Sequence, residues 1–411
     1  MITKLFKQAN IFSATLISLI LLRAVPSSEA SGNTTARIHF GQGQNKPSTV
    51  RSLSPEHIAK LVKPLATMTE AGAQRLEAKL GQEPDNVELH FQLLFYAYVW
   101  DHSRDKSIQG RFQREAFWMI EHFPDAPDPI PALIACLSEV AEPDSYAVAK
   151  KLWLNQLIKP HISARILSNA AHFLSVGELP EIERLMLQAA SKDPQNPEWL
   201  LQQGNIYAEF VSGWIKPLPI ENPQRLNLAR KALIAYKAAY KLTHDQVQQR
   251  QLLKQMAEMS LQCLQPAQAQ QFASRLLKLA IPAGKPSVSN DVAEADLLLG
   301  RCAMASGNID KAKRFLLSAA HTQNWSAIRF FGPDMTLATA LLAKNERTVV
   351  LEFLQICNRT LNHPGYQEWI EKLKAGETPD LTQPYELPDL HFSTPPHEQP
   401  PTHKQKGDIV L

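Results

Sequence analysis

The chain has 411 residues, 44% hydrophobic and 20% charged, with a formal net charge of +3. That is enough apolar material for a sizeable core and too little charge bias for a globally disordered chain. The first thirty residues carry Lys4, Lys7 and Arg23 against Glu29, so the remainder carries only +1 and contains no dense basic run, which argues against a nucleic-acid partner.

At the N-terminus, Lys4 and Lys7 precede an apolar run from Ile11 to Leu22, followed by Pro26 and the small-residue sequence Ser28-Glu29-Ala30-Ser31. This is the pattern of a secretory signal over residues 1–30, with cleavage expected after Ala30. The run is short against the roughly 20 residues that span a bilayer comfortably. A secreted or periplasmic chain with no integral span after cleavage is therefore expected, an uncleaved N-terminal membrane anchor being the alternative. No Cys follows the run, so lipid attachment has no acceptor there. Residues 31–53, rich in Gly, Ser, Thr, Asn and Gln, read as a flexible leader.

Order is expected from Ser54, a plausible cap, with Pro55 in the first helical turn. From there to about Ala375 the sequence predicts helix after helix, broken at Pro84, Pro124 to Pro129, Pro143, Pro160, Pro194, Pro197 and Pro266. No segment shows sustained two-residue alternation, so residues 54–375 read as one all-α domain. Val87 to Trp100 is expected to pair with Ile108 to His122, and Ile130 to Ala141 with Asp144 to Ile158. The stripe Phe91, Leu94, Phe95, Tyr98 and Val99 has helical spacing and reads as core.

A 34-residue period then emerges. The segment from Ser163 places Ile166, Ala170, Phe173 and Gly177 on one helix and Ile182, Met186, Ala189 and Pro194 on a second. The next copy, from Pro197, repeats Leu200, Gly204 and Tyr207, but its second helix (Ala232, Tyr236, Ala239) arrives 16 residues late. Residues Val211 to Arg225, with Trp214 and three prolines, are thus expected to form a loop. Val247 to Cys263 pairs with Ala267 to Ala280. The clearest copy follows, with Leu299, Gly300, Ala303, Gly307, Ala312, Leu316 and Ala319, small residues falling where two antiparallel helices approach closely. Asp334 to Lys344 pairs with Arg347 to Leu361, and Tyr366 to Lys374 caps the array. A fixed period of this kind means an α-solenoid of stacked helix hairpins.

The pattern resembles the tetratricopeptide repeat, with motif support over residues 163–324 and by rhythm over 54–375. It departs from that family at the usual aromatic first-helix position, held here by Ile166, Leu200 and Asp296. The resemblance implies an interaction scaffold that binds a protein or peptide in a groove lined by first helices. It assigns to that groove Leu167 and Ala171, Leu201 and Asn205, and Leu297 and Arg301. Leu stands where carboxylate-clamping members carry Lys, so an apolar or helical segment fits better than a partner's C-terminus. Trp214, on its Pro-stiffened loop, is a second candidate contact.

Chemistry is sparse. Ser103 and Lys106 have a Ser-x-x-Lys spacing without companion motifs, and no phosphate loop, HExxH, GxSxG or EF-hand pattern occurs. Catalytic residues, metal ligands and cofactors are therefore expected to be none. The acids Glu181 and Glu183, and Asp291 and Glu294, sit near helix starts where carboxylates favour the dipole. The four cysteines, Cys136, Cys263, Cys302 and Cys357, fall in different predicted helices without metal spacing. They read as small buried apolar residues, disulfides between neighbouring helices being the alternative. Three sequences match the N-glycosylation acceptor, at Asn33, Asn324 and Asn358, and matter only in a eukaryotic source. Residues 376–411 form a Pro-rich tail with His391, His397 and His403, expected to be extended. The rival reading is an envelope enzyme, a lyase or glycosidase acting on polysaccharide with two dispersed carboxylates.

Overall fold

A computed structural model describes residues 53–381 except 54, 101–105, 138, 140–141, 175–178, 213–221, 282–289, 322–333 and 362–363. The signal, the leader up to residue 52, the tail beyond residue 381, Ser103, Asn324 and Trp214 lie outside these. Among the described residues every regular element is a helix, and they divide into two compact units, 53–156 and 157–381.

The N-terminal unit comprises α1 (Pro55–Val62), a 3₁₀ turn (Lys63–Thr67), α2 (Glu70–Leu80), α3 (Val87–Trp100), α4 (Lys106–His122), α5 (Ile130–Ile134) and α6 (Pro143–Leu157, whose last residue falls in the second unit). α3 packs against α4 as expected. It is buried almost all round, from Phe91 through Leu93–Val99, so its sequence is nearly continuously apolar. Ile130 to Ala141 does not form the long helix that periodicity suggests. All five residues of Ile130–Ile134 are buried, the chain turns at Ala135, and α5 packs on α3. α6 instead hooks onto the end of α4, where Gln156 Nε2 donates to the Ile120 and Glu121 carbonyls at 2.7 and 3.1 Å.

Charge is buried in this unit. Arg111, 5% exposed, donates to Glu70 and Glu77 on α2 at 2.7 and 2.9 Å, and Arg114 bridges Glu77 and Glu115. Burial alone lowers the Arg111 pKa, but the two carboxylates more than offset it and hold the guanidinium charged. The hydrogen bond from Arg111 holds the Glu77 carboxyl below the usual carboxylate range. His90 on α3 contacts Glu115 and the Pro84 carbonyl at 2.5 and 2.8 Å and stacks on Trp118 with ring centroids 3.4 Å apart. Three helices are thus pinned through one polar network.

The C-terminal unit is a series of hairpins. First helices are α7 (Ala164–Phe173), α9 (Pro197–Ser212), α11 (Gln246–Gln262), α13 (Asn290–Ala305) and α15 (Thr336–Leu342). Second helices are α8 (Leu179–Lys192), α10 (Pro223–Leu242), α12 (Pro266–Ala280), α14 (Ile309–Ala320) and α16 (Arg347–Leu361), followed by α17 (Pro364–Lys374). Each helix packs on the next in sequence from α7 to α14. The chain in this region is an α-solenoid. α17 closes it by burying Tyr366, Ile370 and Leu373 against Phe353 and Leu354.

Local chemistry sets the hairpins. Side chains of Ser163, Asn222, Asp245 and Asn308 accept the first unpaired backbone N–H groups of α7, α10, α11 and α14, the expected use of such residues at N-caps. At the C-terminal end of α11, α13, α15 and α17 one turn recurs. Gln265 N donates to Ser260 O, Asn308 N to Ala303 O, Glu346 N to Leu341 O and Glu377 N to Lys372 O, at 2.8–3.0 Å. In each turn the preceding residue is left-handed: Leu264 (φ 57), Gly307 (φ 76), Asn345 (φ 62) and Gly376 (φ 87). This is the Schellman turn, which satisfies the last helical carbonyls. Only two of its four central residues are glycine, so the sequence disguises the repeat.

Close approach explains two other glycines. A Cβ on Gly204 would collide with the Tyr236 ring of α10, and one on Gly300 with Leu337 of α15. At the Pro197 repeat, α9 runs on through Val211 and Ser212, and Pro223 to Arg225 open a 20-residue α10, so both ends of the expected loop are helix, while its centre at 213–221 lies outside the described residues. All four cysteines are free, three of them buried. Burial pushes the thiols of Cys136 and Cys302 up to about 12 and 11, which leaves them protonated and inert.

Candidate functional site

The resemblance assigns groove residues to three first helices, and packing divides them into two sets. Leu167 and Ala171 on α7 and Leu297 on α13 are buried, at 0, 0 and 4% exposure. They present no surface to a partner. The reason is visible on α13, where Ala293 and every residue from Ala295 to Gly300 are buried: a helix hemmed in by the hairpins on both sides has a wide apolar arc, and Leu297 falls inside it. Leu201 and Asn205 on α9 and Arg301 on α13 are half-buried and reach the surface.

Of these, Asn205 and Arg301 are held by polar contacts that run from first helix to first helix. Asn205 Oδ1 accepts from Tyr236 Oη at 3.0 Å and from Gln255 Nε2 of α11 at 2.9 Å. From α11 to α13 run three ion pairs: Arg250 to Asp291 at 2.6 Å, Lys254 to Glu294 at 2.6 Å and Glu258 to Arg301 at 2.5 Å. Arg301 also reaches Asp334, at 3.5 Å, just before α15. Burial raises the Glu258 pKa, but the Arg301 charge and its hydrogen bonds outweigh that, and the carboxyl lies below its ordinary value. Rungs at 250, 254 and 258 share a helix face by i,i+4 spacing. Their complements at 291, 294 and 301 carry the opposite signs. This was the signal available in sequence, and it was missed because the pairing joins elements about forty residues apart.

Acceptors remain open beside this network. Gln255 Oε1 is buried without a hydrogen-bond partner. Glu209, one turn beyond Asn205, is half-buried; desolvation raises its pKa, with His172 on α7 partly opposing. Asp296, standing at an aromatic position of the repeat, is 4% exposed. It accepts from Ser318 Oγ at 2.6 Å, and its pKa is raised by burial, the hydrogen bond opposing.

The acids noted at helix starts are all ion-paired: Glu181 with Arg184, Glu183 with Lys231, Asp291 with Arg250 and Glu294 with Lys254. Among the described residues no group of three or more His, Cys, Asp or Glu is placed to hold a metal ion, and no helix is long and apolar enough to cross a membrane.

No family model and no curated protein matches the sequence. Among solved structures, the crystal structure of the APC/C hetero-tetramer Cut9-Hcn1 aligns at 15% identity with a TM-score of 0.26, over 79% of this chain and 64% of that one. The chain therefore spans less than two thirds of that structure's length. From its own hairpins, small-residue contacts and recurring turns, the C-terminal unit is a tetratricopeptide-like helical repeat.

Proposed function

We propose that this chain is a protein-interaction scaffold that works outside the cytoplasm and seats a partner segment on the first-helix face of α9 and α11. The observation that carries this reading is the row of half-buried side chains on that face, Leu201, Asn205, Glu209 and Gln255. They combine an apolar contact with one acceptor left without a partner, Gln255 Oε1, and the Glu209 carboxyl, on a braced framework. A rigid, partly desolvated surface of this composition favours a polypeptide whose backbone or side-chain N–H groups meet the acceptors. The basic N-terminus, the run from Ile11 to Leu22 and the Ala30 site support export, with membrane anchoring as the alternative.

The scaffold acts without bond chemistry. The pairing of Glu181, Glu183, Asp291 and Glu294 with cations supports this, because two-carboxylate hydrolysis needs acids available to the substrate. The test is cross-linking of the full chain in its native envelope or secreted fraction, with mass spectrometry of partners and of the N-terminal peptide. A dominant partner cross-linked near Leu201, and lost in Leu201→Arg combined with Gln255→Ala, is the expected result. Retention of that partner by the double variant would remove the first-helix face from the proposal.

A further inference from the structure

The C-terminal unit sorts its charges by helix. α10 carries Arg225, Arg230, Lys231, Lys237 and Lys241, α12 carries Arg275 and Lys278, and neither contains an Asp or Glu. These two second helices lie side by side: the Arg275 guanidinium sits over the Tyr240 ring at 5.0 Å, and the Lys237 ammonium over the Phe272 ring at 5.7 Å. Among the described residues, the nearby acids already have partners. On α8, Glu183 pairs with Lys231 and Glu181 with Arg184, while Asp245, just after α10, caps α11. Arg230, Lys241 and Lys278 are exposed, and none of them is ion-paired among the described residues.

Aliphatic side chains stand among these cations. Ile234 on α10 is 68% exposed, Leu187 on α8 is 60%, and Leu279 and Ile281 at the end of α12 are 36 and 45%. The Glu183–Lys231 pair joins α8 to α10, and Leu187 and Ile234 lie one turn further along their helices. Water solvates the cations but leaves the exposed aliphatic side chains unsatisfied. A surface with anions at its outer level and hydrocarbon beneath rewards both, since Lys and Arg stems are long enough to keep their charged heads at the phosphates while Ile and Leu enter below.

Two alternatives fit less well. The depression on this face is lined by one α9 residue, Leu200, and by Ile234, Lys237, Ala238, Lys241 and Leu242 from the last turns of α10, so it does not extend along α12 as a polypeptide groove over both helices would. A nucleic acid offers phosphates but no apolar layer for Ile234 and Leu187. We propose that the outer face of α10 and α12 docks on an anionic lipid bilayer. This is a second surface, on the opposite helices of the hairpins from the proposed groove, and it does not depend on the groove reading. The whole-chain charge of +3 conceals it because acids spread over the rest of the chain, Glu198 and Glu209 of α9 among them, carry the balance.

The test is co-flotation of the full chain, with its native N-terminus, on vesicles of phosphatidylcholine alone and of phosphatidylcholine with about one third phosphatidylglycerol. Because Lys4, Lys7 and Arg23 would themselves favour anionic vesicles, the comparison is repeated in a Lys4→Gln, Lys7→Gln, Arg23→Gln background, where the Ile11 to Leu22 run contributes to both vesicles and the difference between them reads the cationic face. Binding is expected to be at least about tenfold stronger on the anionic vesicles and to weaken with salt. Arg230→Glu, Lys241→Glu and Lys278→Glu together should abolish that preference while the circular dichroism stays unchanged. Ile234→Ser with Leu279→Ser should weaken anionic binding several-fold and leave its salt slope intact. Equal binding to both vesicles, or an anionic preference that survives the triple reversal, would overturn the proposal. So would tight binding of duplex DNA or polyglutamate with no vesicle binding. The groove variant Leu201→Arg should float like the unmodified chain, which separates failure of this surface from failure of the scaffold reading.

Discussion

The two units treat charge in opposite ways. In the N-terminal unit Arg111 is buried between Glu70 and Glu77, with Arg114, Glu115 and His90 completing the network. In the C-terminal unit the equivalent braces lie at the rim of successive hairpins, as in the Lys254–Glu294 rung, where the two side chains are 47 and 31% exposed. A buried network is strongly cooperative, because removing one member leaves the others desolvated and unpaired. A ladder of rim pairs loses one weak rung at a time. A hairpin array tolerates this because each helix pair rests mainly on its neighbours' apolar faces.

The sharpest test of the contrast is Arg111→Ala, expected to destabilise the N-terminal unit by about 3–5 kcal/mol in chemical denaturation. Lys254→Ala in the ladder should cost less than about 1 kcal/mol, and less again at high salt. If the two losses come out equal, the contrast fails. Gly204→Ala comes next, at about 1–3 kcal/mol, because its Cβ meets the Tyr236 ring and the pair must separate. Leu264→Gly should stabilise the C-terminal unit by up to about 1 kcal/mol, since Leu264 is left-handed and 81% exposed, with little packing to lose.

The smallest effects concern pH and sharpen the contrast further. The Glu77 carboxyl is held below the ordinary glutamate value by its hydrogen bond from Arg111. Its contribution is fully present above that value and is lost as pH falls through the lower native one. Asp296 has the opposite sign. Burial raises its native pKa above 3.8, so stability is highest below that value and declines as pH rises through the native one. Asp296→Asn, able to keep the bond with Ser318, should gain on the order of 1 kcal/mol at neutral pH and nothing at acid pH. A pH series of denaturant midpoints for the wild type and this variant checks both signs.

The fold was legible where local chemistry dictates it. The prolines, the capping residues and the period of small residues fix helices and hairpins within a few residues of one another, so Gly204, Gly300 and Gly307 announced the repeat before any contact was known. It was less legible where periodicity fails. Ile130–Ala141 is apolar on all sides, so nothing in its pattern distinguishes a long helix from the short α5 and turn that packing selects. The recurring turn at Leu264 and Asn345 was hidden because left-handed backbone there is imposed by the helix end and not by a glycine.

The candidate site divides in the same manner. The sequence by itself determined which helices would face one another, and with them the first-helix row that includes Leu201, Asn205 and Arg301. Only the tertiary structure decided that Leu167, Ala171 and Leu297 are core, that Asn205 and Arg301 are braced by Gln255 and Glu258, and that the cations of α10 and α12 share one face. The physical reason is that helix formation and hairpin approach depend on residues within one repeat. Burial, ion pairing and the sign of a surface depend on which residues the neighbouring repeat brings to meet them, and these lie roughly a full repeat away in the chain.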